Sequence, residues 1–498
     1  MHEHGKSDRP VVPVRSSNNA MAAAVVAETA EGRGLAKGNT GSSTRPGLSA
    51  GQGVSSGLDR VREVARRDKD ARFTALLHHV DLERLRTAYQ ALSQRAAPGV
   101  DGLTWGAYGQ DLEANLRDLH QRVHNGAYRA MPSRRVYIPK ADGRQRPLGI
   151  ATLEDKIVQR AVVEVLNAIY EEDFLGFSYG FRPGRSPHDA LDALAVGVSQ
   201  KKVNWVLDAD LRDFFTSLDH GWLEKFLEHR VADRRVMRLI RKWLKAGVIE
   251  DGEWSQTVEG TPQGGSASPL LANVYLHYVF DRWARQWRQR HARGDMIIVR
   301  FADDFVAGFE HQGDATRFLH DLRERLAKFN LELHADKTRL IEFGRFAAER
   351  RAKRGLGKPD TFDFLGFTHI SGKTRTGRFA LKRITISKRM RAKLAEVKDQ
   401  LKRRRHEPIP DQGRWLASVV RGHLAYYAVP GNSRAIRAFR TQATRHWFVA
   451  LRRRSQRHRL DWKRMDRLAH RWLPSVHILH PHPSVRFDVR TRGRSPVR

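Results

Sequence analysis

The chain of 498 residues contains no cysteine. This absence excludes disulfide scaffolds, thiolate zinc sites, iron–sulfur clusters and cysteine nucleophiles. Long hydrophobic runs are also missing, because the best apolar stretch, Pro269–Phe280, is shorter than the roughly 18 residues of a membrane span. The alanine-rich stretch Met21–Ala30 lacks a basic lead-in to a long apolar core. We therefore expect neither a membrane span nor a signal peptide.

Acidic residues are scarce relative to basic ones. Asp and Glu number 55 against 90 Lys and Arg, which gives a formal charge of +35 at pH 7. Such an excess is typical of proteins that bind a polyanion, and we favour nucleic acid over a membrane surface. Residues 391–498 carry 27 Lys and Arg against 7 Asp and Glu, so more than half of the net charge lies there. We expect a soluble, cytoplasmic nucleic-acid-binding protein.

Strand and helix patterns alternate through the middle of the chain. The run Arg135–Ile138 alternates as a strand does and leads through the turn Lys140–Gly143 into a second strand, which predicts a hairpin that carries cations. Apolar residues of Leu153–Tyr170 recur at helical spacing, whereas Val203–Leu207 is a β-branched run typical of a buried strand. From Leu58 to about Ser93 the pattern is helical, basic and amphipathic.

Two aspartates stand between a pair of apolar runs, Met296–Phe301 and Phe305–Phe309. This pattern predicts a tight hairpin, at whose bend Asp303 and Asp304 can both serve one site. Carboxylate oxygens that lie close together suit Mg²⁺, which takes substrate phosphates and water for its remaining positions. Because Asp is also a common turn residue, the pair alone leaves a purely structural interpretation open.

A second acidic site follows the strand pattern at Val203–Leu207. Asp208 and Asp210 come at its end, and a charge after a core strand is costly unless it is paired or bound to metal. A helix N-cap at either aspartate is the alternative interpretation. Two-metal phosphoryl transfer needs carboxylates from separate elements around ions about 3.5–4 Å apart, and a strand-end Asp with a hairpin Asp pair would meet this need.

The glycine-rich loop Gly260–Leu270 lies between these acidic sites. Its glycines would let backbone approach a ligand, and the helix that follows would favour an anion at its N-terminus. Ser268 is predicted as the N-cap of that helix, with Pro269 at its first position. The loop is not a phosphate-binding Walker loop, because no Lys precedes Ser266.

Together these segments resemble the group II intron-encoded reverse transcriptase/maturase family, over about residues 60–475. The matching blocks stand in the family's order: Ile138–Lys140, Arg146–Ile150, Ser178–Ser186, Asp210 with Phe215, Thr261–Gly265 with Ser268–Asn273, Phe301–Asp304, Phe364–Phe367 and Arg421–Tyr427. The family usually has Tyr at the position of Phe301. We expect the chemistry to survive this change. The fidelity of synthesis or the positioning of the primer could differ.

The resemblance implies an α+β right-hand polymerase, with fingers and a palm built on antiparallel sheet and a helical thumb or maturase (X) domain. The expected boundaries are a disordered, low-complexity leader at 1–57, an N-terminal extension and fingers at 58–200, a palm at 201–375, the thumb at 376–475 and a short basic tail at 476–498, with the reverse transcriptase domain at about 120–372 overall. The family often adds a zinc-containing HNH endonuclease. We do not expect one, because the chain lacks cysteine and ends soon after the thumb.

The implied activity is that of an RNA-directed DNA polymerase that also binds its group II intron RNA and assists splicing and retromobility. In this family the catalytic aspartates would be Asp210, Asp303 and Asp304. Asp210 and Asp303 would be the main ligands of two Mg²⁺ ions, with Mn²⁺ as an alternative metal. Asp304 would support them, and the Leu211 carbonyl would complete one ion.

The resemblance also implies contacts to the incoming nucleotide. Phe215 would lie under the sugar and exclude a 2′-hydroxyl, so that the enzyme selects deoxynucleotides, and Gln263 would help to hold the nucleotide. Four cations would meet the triphosphate or assist the departure of pyrophosphate: Arg134, Lys140, Arg146 and Lys337. Without the family context each could equally be a solvated surface charge.

The basic end of the chain predicts three helices, Lys388–Arg405, Gly413–Ala428 and Ser433–Arg454. We expect their aromatic residues to form a core and their arginines to contact phosphate. The expected RNA-binding residues are Arg434, Arg437, Arg440, Arg452 and Arg453. The implied partners are group II intron RNA, an RNA template with a DNA primer, and dNTPs. For the terminus Arg486–Arg498, contact with target DNA and a simple tail both stay open, as does the oligomeric state.

Two other functions remain open from the sequence. A non-catalytic RNA-binding maturase would need a decayed palm, whereas the three aspartates are present. A reverse transcriptase of the defence, retron or CRISPR-linked type is the other alternative. The maturase-like segment Gly422–Tyr427 and the basic thumb argue against it.

Overall fold

The structure is a computed structural model that describes residues 57–139, 145–250, 253–256, 259–260, 264–374, 376–454 and 460–491. The predicted disordered leader, apart from Gly57, and the predicted turn Lys140–Gly143 lie outside the described residues. In the part of the chain that is described, no helix has both the length and the apolar character needed to cross a membrane.

Helices and strands alternate along the chain. The helices are α1 (Gly57–Arg67), α2 (Leu82–Gln90), α3 (Trp105–Tyr108), α4 (Leu112–Asn125), α5 (Leu153–Asp173), α6 (Pro187–Gln200), α7 (His220–Glu228), α8 (Arg234–Lys245), α9 (Ser268–Leu276), α10 (Arg282–Arg290), α11 (Gln312–Ala327), α12 (Ala347–Lys353), α13 (Ser387–Arg403), α14 (Ile409–Tyr427), α15 (Ser433–Arg452), α16 (Trp462–Trp472) and α17 (Pro483–Thr491). Short 3₁₀ turns form at Leu77–His79, Gly109–Asp111 and Phe214–Thr216, and a π-helical segment, His277–Asp281, joins α9 to α10.

The strands form three separate sheets. They are β1 (Ser133–Pro139), β2 (Gln145–Ile150), β3 (Trp205–Asp210), β4 (Val248–Glu250), β5 (Glu253–Ser255), β6 (Met296–Phe301), β7 (Asp304–Phe309), β8 (Arg339–Glu342), β9 (Phe362–Phe364), β10 (Phe367–Lys373) and β11 (Phe379–Thr385). Their orders are β2-β1-β4-β5, β6-β7-β3-β8 and β11-β10-β9.

The sheet β6-β7-β3-β8 is the palm, and its neighbouring strands are all antiparallel. Side chains alternate between its faces, so Leu207 and Ala209 enter a large core shared with the helices, whereas Val206 and Val306 enter a second core on the other face. The predicted buried strand is therefore found. It extends to Asp210, which makes this aspartate its last residue.

The predicted hairpin in the fingers is also found. β1 and β2 pair antiparallel from Arg134 opposite Ile150, and β1 pairs parallel with β4. The helix predicted over Leu153–Tyr170 is α5, whose start is capped by the Thr152 hydroxyl accepting from the Asp155 N–H. The helical pattern from Leu58 to Ser93 is interrupted: α1 ends at Arg67, and α2 begins after Asp81, which caps it.

The boundary between palm and thumb differs from the predicted one. β11 pairs with β10 along its whole length, from Phe379 opposite Lys373 to Thr385 opposite Phe367. A boundary at 375/376 would cut this hairpin, and the thumb helices begin only at Ser387. The three helices predicted for the thumb are α13, α14 and α15, and they pack around the fully buried Trp447.

The segment expected as a short basic tail folds back onto the palm as far as it is described. α17 packs on α6, where Arg486 forms an ion pair with Asp192 and Phe487 is buried. Asp192 also accepts a hydrogen bond from Arg383 Nη1 at 2.9 Å. The buried carboxylate on α6 therefore contacts both β11 and α17. For residues 483–491 the alternative of a simple tail is therefore wrong, because Arg486 and Phe487 have partners inside the fold.

Candidate active site

Asp210 and Asp304 meet at the edge of the palm where β3 ends and β7 begins. They are direct partners in the antiparallel register. Residues opposite one another in such a pair project from the same face of the sheet. Their carboxyl groups are close enough for the negative charge of Asp210 to act on Asp304. The fold thus brings together two acidic side chains that are distant in the sequence.

Asp303 occupies the two-residue turn between β6 and β7, together with Ala302. Phe301 and Asp304 close this turn as cross-strand partners. Ala302 has a φ of 56°, in the left-handed region that favours glycine. The register makes Asp304, rather than Asp303, the direct partner of Asp210, whereas the sequence predicted Asp303 as a main ligand and Asp304 as its support. Those roles stay predictions.

The electrostatics of this edge favour a bound cation. Asp304, the first residue of β7, is exposed to solvent. Desolvation, together with the negative charges of Asp303 and Asp210, raises the pKa of the Asp304 carboxyl well above its usual range. Lys337 places its ammonium against Asp210. Hard carboxylate oxygens that repel one another and already attract a cation are a suitable donor set for a divalent ion.

The three aspartates do not form a finished metal cage. Among the described residues, no group of three or more His, Asp or Glu side chains is drawn together tightly enough to hold a metal ion alone. Asp210 is bound by Lys337 instead, and its carboxylate is 17% exposed. A divalent ion would therefore take further ligands from substrate phosphates, water or main-chain oxygen.

Leu211 directs its main-chain groups away from the neighbouring segment at Leu333. The bridge between Leu211 and Leu333 is antiparallel, and its hydrogen bonds come from the flanking residues. His334 N donates to Asp210 O at 2.8 Å, and Arg212 N donates to Glu332 O at 2.9 Å. In this pattern the Leu211 carbonyl points away from the segment at Leu333. That segment therefore does not block the predicted contact between this carbonyl and a metal ion.

Asp208 lies beside the predicted site, and the sequence assigned no catalytic role to it. It lies two residues before Asp210, on the same face of β3, and burial raises its pKa to about 6 against the opposing charge of Arg339. Arg339 Nη2 is 3.4 Å from the Asp208 carboxylate and donates to Thr361 O at 3.3 Å. Through Arg339, Asp208 is thus connected to Thr361, the residue before β9 of the third sheet.

Phe215 belongs to a group of aromatic rings beside the aspartates. Its ring centroid is 6.4 Å from that of Phe181, and Phe181 is 6.5 Å from Phe301. Phe181 has a φ of 57°, which is strained for a bulky residue. Sequence reasoning quoted Phe181 only as part of the block Ser178–Ser186. Only the fold shows that Phe181 lies between Phe215, a predicted site residue, and Phe301.

Only part of the predicted nucleotide contacts can be placed. Lys140 and Gln263 lie outside the described residues, and Arg146 is placed by its backbone alone, opposite Ile138. Arg134 donates through Nη2 to Pro98 O at 2.8 Å, so its guanidinium is tied to a loop. A triphosphate would have to compete with that carbonyl for Arg134.

The described glycines on either side of Gln263 approach neighbouring backbone closely. A Cβ at Gly260 would lie 2.6 Å from Phe215 O, and one at Gly264 would lie 2.6 Å from Gly149 O. Both close approaches require glycine. α9 begins at Ser268 with Ala267 as its N-cap residue, so the prediction of Ser268 as the N-cap is wrong by one position.

The segment Phe364–Phe367 forms a tight hairpin that the thumb contacts. Leu365 and Gly366 both have positive φ, 47° and 84°, as the two-residue turns of β-hairpins require. Tyr426 Oη donates to Leu365 O at 2.8 Å. The maturase-like segment of α14 therefore supports the hairpin that the family resemblance assigns to the primer end.

The predicted RNA-binding arginines fall into two groups. Four are exposed, namely Arg434, Arg437, Arg452 and Arg453. Arg440 instead donates through Nε to Pro474 O at 3.0 Å and through Nη2 to Ala469 O at 3.2 Å. Because Arg440 holds the C-terminal end of α16 in this way, we do not retain it as an RNA contact.

A palm sheet that ends in adjacent carboxylates, combined with a fingers hairpin and a helical thumb, is the architecture of a template-directed nucleic-acid polymerase. Residues 138–369 match the family described as reverse transcriptase (RNA-dependent DNA polymerase). The predicted α+β polymerase fold is thereby confirmed. Members of this family use divalent metal ions, which agrees with the carboxylates at the palm edge.

Named relatives narrow the class. The chain is 35% identical to "Protein YkfC" of Escherichia coli K12 over 322 residues, 57% of this chain and 80% of that protein. It is 34% identical to "Group II intron-encoded protein LtrA" of Lactococcus lactis over 238 residues, 47% of this chain and 39% of that protein. It is 29% identical to "Nuclear intron maturase 2, mitochondrial" of Arabidopsis thaliana over 170 residues, 26% of this chain and 23% of that protein. The chain belongs to the family of group II intron-encoded reverse transcriptases and maturases. The predicted family and the enzyme class, RNA-directed DNA polymerase, are confirmed.

Proposed function

We propose that this chain copies RNA into DNA at the palm edge formed by Asp210, Asp303 and Asp304, and that its thumb binds group II intron RNA to assist splicing and retromobility. The observation that carries the first role is the register that sets Asp210 opposite Asp304. The second role is supported by the exposed arginines of α15 and by the intron-encoded relatives. Its substrates are RNA and dNTPs, and we propose that it works in the cytoplasm in association with RNA.

The chemistry requires charge neutralisation more than covalent participation by the protein. The three aspartates would hold two Mg²⁺ ions, for which Mn²⁺ could substitute, and the Leu211 carbonyl would complete one of them. When bound, the ions acidify the primer 3′-hydroxyl and neutralise charge on the departing pyrophosphate.

Side chains around the aspartates would position the nucleotide. Lys337 lies against Asp210, so its ammonium is at hand for negative charge that develops on pyrophosphate. The Phe215 ring lies beside Phe181 next to the same edge, where it would exclude a ribose 2′-hydroxyl. Gln263 and the cations Arg134, Lys140 and Arg146 keep the roles that the family resemblance implies.

Primer extension by purified protein on an RNA template tests the polymerase role. We expect Asp304→Asn to reduce the rate of single-turnover DNA synthesis by about 100-fold or more. The substitution removes a negative charge that would hold the metal ions, and these ions lower the activation barrier by several kcal/mol. Asp336→Asn is the matched control, since it removes an exposed carboxylate next to Lys337 that has no proposed role. Equal synthesis by Asp304→Asn and wild type would refute the site.

A splicing assay with a group II intron RNA separates the two roles. Asp304→Asn is expected to retain splicing assistance, because the substitution leaves the thumb unchanged. Splicing assistance without DNA synthesis by the wild-type protein would identify a non-catalytic maturase. DNA synthesis without intron binding would identify a reverse transcriptase of the defence, retron or CRISPR-linked type.

A further inference from the structure

A buried arginine, Arg300, contacts the turn Ala302–Asp303 from the face of the sheet opposite to Asp304. Arg300 is the residue before Phe301 in β6, and its side chain is 1% exposed. It pairs across the sheet with Phe305, and Phe305 enters the large core. Because side chains alternate along a strand, Arg300 lies on the face opposite to Asp304. It therefore cannot touch the substrate cleft directly and can act only through the turn.

The Arg300 guanidinium uses all of its N–H groups. Nε and Nη2 donate to the two carboxylate oxygens of Asp281 at 2.7 and 2.6 Å. Nη2 also donates to Ser178 Oγ at 2.7 Å. Nη1 donates to Asn273 Oδ1 at 3.0 Å and to Ala302 O at 2.9 Å. A guanidinium offers five donors in a planar fork, so Lys cannot reproduce this set of bonds.

The contact to Ala302 falls on the strained residue of the turn. With a φ of 56°, Ala302 adopts a conformation that L-residues avoid unless the surroundings impose it. Gly180 closes the turn from the side, because a Cβ there would lie 2.2 Å from Ala302 N. Asn273 Nδ2 donates to Gly180 O at 2.8 Å, so Asn273 connects this glycine to the Arg300 guanidinium.

Asp281 is presented by an unusual backbone. It ends the π-helical segment His277–Asp281 between α9 and α10, and its side chain is completely buried. Single π-helical turns inside helices are rare and occur frequently at functional sites. A buried ion pair adds little net stability over well-packed apolar residues. Fixed geometry at the turn is therefore a better explanation of this pair than stability.

We propose that Arg300, paired with Asp281, is a positioning residue of the polymerase site. It fixes the left-handed conformation of Ala302 and thereby the orientation in which Asp303 and Asp304 meet divalent ions. The inference rests on the proposed function, because metal-dependent synthesis is the activity that the turn would serve.

Arg300→Lys tests this inference, with Arg230→Lys as the matched control. Arg230 is 2% exposed, forms an ion pair with Asp173 at 2.9 Å and donates to main-chain carbonyls near α1, without contact to the turn. We expect Arg300→Lys to lower kcat by about 100-fold at saturating template–primer, because misplacement by about 1 Å has that effect. Template–primer affinity measured in EDTA is expected to stay at the wild-type value.

A second readout does not depend on synthesis. Mn²⁺ binding to the free protein, followed by electron paramagnetic resonance, is expected to weaken about tenfold in Arg300→Lys and to stay unchanged in Arg230→Lys. Both variants are expected to lose thermal stability, since each leaves a buried carboxylate poorly paired. A purely structural role would make the two variants behave alike in all measurements.

Wild-type Mn²⁺ affinity and kcat in folded Arg300→Lys would overturn the inference, as would equal losses in Arg230→Lys. If Arg300→Lys does not fold, Ser178→Ala removes one bond of the guanidinium and is expected to shift Mn²⁺ affinity and kcat in the same direction by a smaller factor. No shift in that variant would also overturn the inference. If the wild-type protein makes no DNA, the proposed function fails, whereas the Mn²⁺ measurement still tests Arg300.

Discussion

His369 in β10 shows how strongly the interior restricts the ionisation of a single side chain. It is fully buried and stacks on Phe362, with 4.8 Å between ring centroids. Burial, reinforced by the positive charge of Arg383, lowers the pKa of His369 to about 3. The imidazole is therefore neutral in the folded protein at every physiological pH.

This residue predicts acid sensitivity. Its pKa is about 3 when folded and 6.5 without the protein environment, so the unfolded chain binds the extra proton between those values. Stability from a neutral His369 is complete above pH 6.5 and falls as the pH drops toward 3. At pH 5 the loss is about 2 kcal/mol. We expect His369→Phe to reduce the difference in unfolding free energy between pH 7 and pH 5 by about this amount.

Urea unfolding at both pH values measures the effect. His320→Phe is the control, because it removes an imidazole that is exposed on α11. An undiminished pH difference in His369→Phe would contradict the assignment of the buried neutral imidazole.

At the same scale, sequence patterns identified residues whose chemistry is visible in their type and spacing. Asp210, Asp303 and Asp304 follow apolar strand patterns, so they could be singled out in advance. Arg300 could not, because an arginine in a β-branched run gives no sign of which buried carboxylate it will meet. Its partner Asp281 lies on a different element, and only the tertiary fold brings the two together.

The helix α15 separates two kinds of arginine on its faces. Ile436 and Phe439 are fully buried against the rest of the thumb, whereas Arg434 and Arg437 are exposed on the other side. Arg440 lies between these faces and binds the end of α16. The element therefore has one face for packing and one free for phosphate, as its amphipathic pattern predicts.

Neutralising the exposed face is expected to weaken RNA binding in a salt-dependent manner. If Arg434 and Arg437 each contact one phosphate, the double Gln variant lowers the slope of log affinity against log salt by roughly 1.5. Lys393→Gln with Arg414→Gln removes the same charge from cations that Glu396 and Asp411 already pair, and its slope is expected to match that of the wild type.

Equal slopes in the two double variants would show that the RNA does not bind at Arg434 and Arg437 of α15. Intron RNA binding measured at several salt concentrations decides this, and circular dichroism shows that both variants stay folded.

Helices and hairpins that show a periodic pattern or turn residues in the sequence were predictable. Elements that depend on contacts with distant parts of the chain were not. The β1–β2 hairpin, α5 and the three thumb helices follow from periodicity and turn residues. β11 is recognisable as a strand only through its pairing with β10, which explains the misplaced boundary at 375. The docking of α17 depends on buried Asp192 of α6, far away in the sequence.

At the scale of the whole molecule, the last described segment of the chain contacts the end of α14 and the helix α6. Leu479 N and His480 N both donate to Ala428 O at the end of α14, at 3.0 and 3.2 Å. The chain then reaches α6, whose Asp192 binds both Arg486 and Arg383. Palm, primer-side hairpin and thumb are thus connected by buried polar contacts as well as by apolar cores. Composition predicted the large basic surface of this assembly but not these internal connections.

The central claim is that Asp210 and the turn Asp303–Asp304 bind the same divalent ions. Localised hydroxyl-radical cleavage tests it most directly: Fe²⁺ replaces Mg²⁺ in the protein, and ascorbate with peroxide cuts the backbone next to the bound iron. We predict cuts near residue 210 and near residues 303–304 with the same Fe²⁺ dependence, suppressed together by excess Mg²⁺ and lost together in Asp304→Asn. Cleavage at only one of these places, or loss of one cut without the other in Asp304→Asn, would contradict the account.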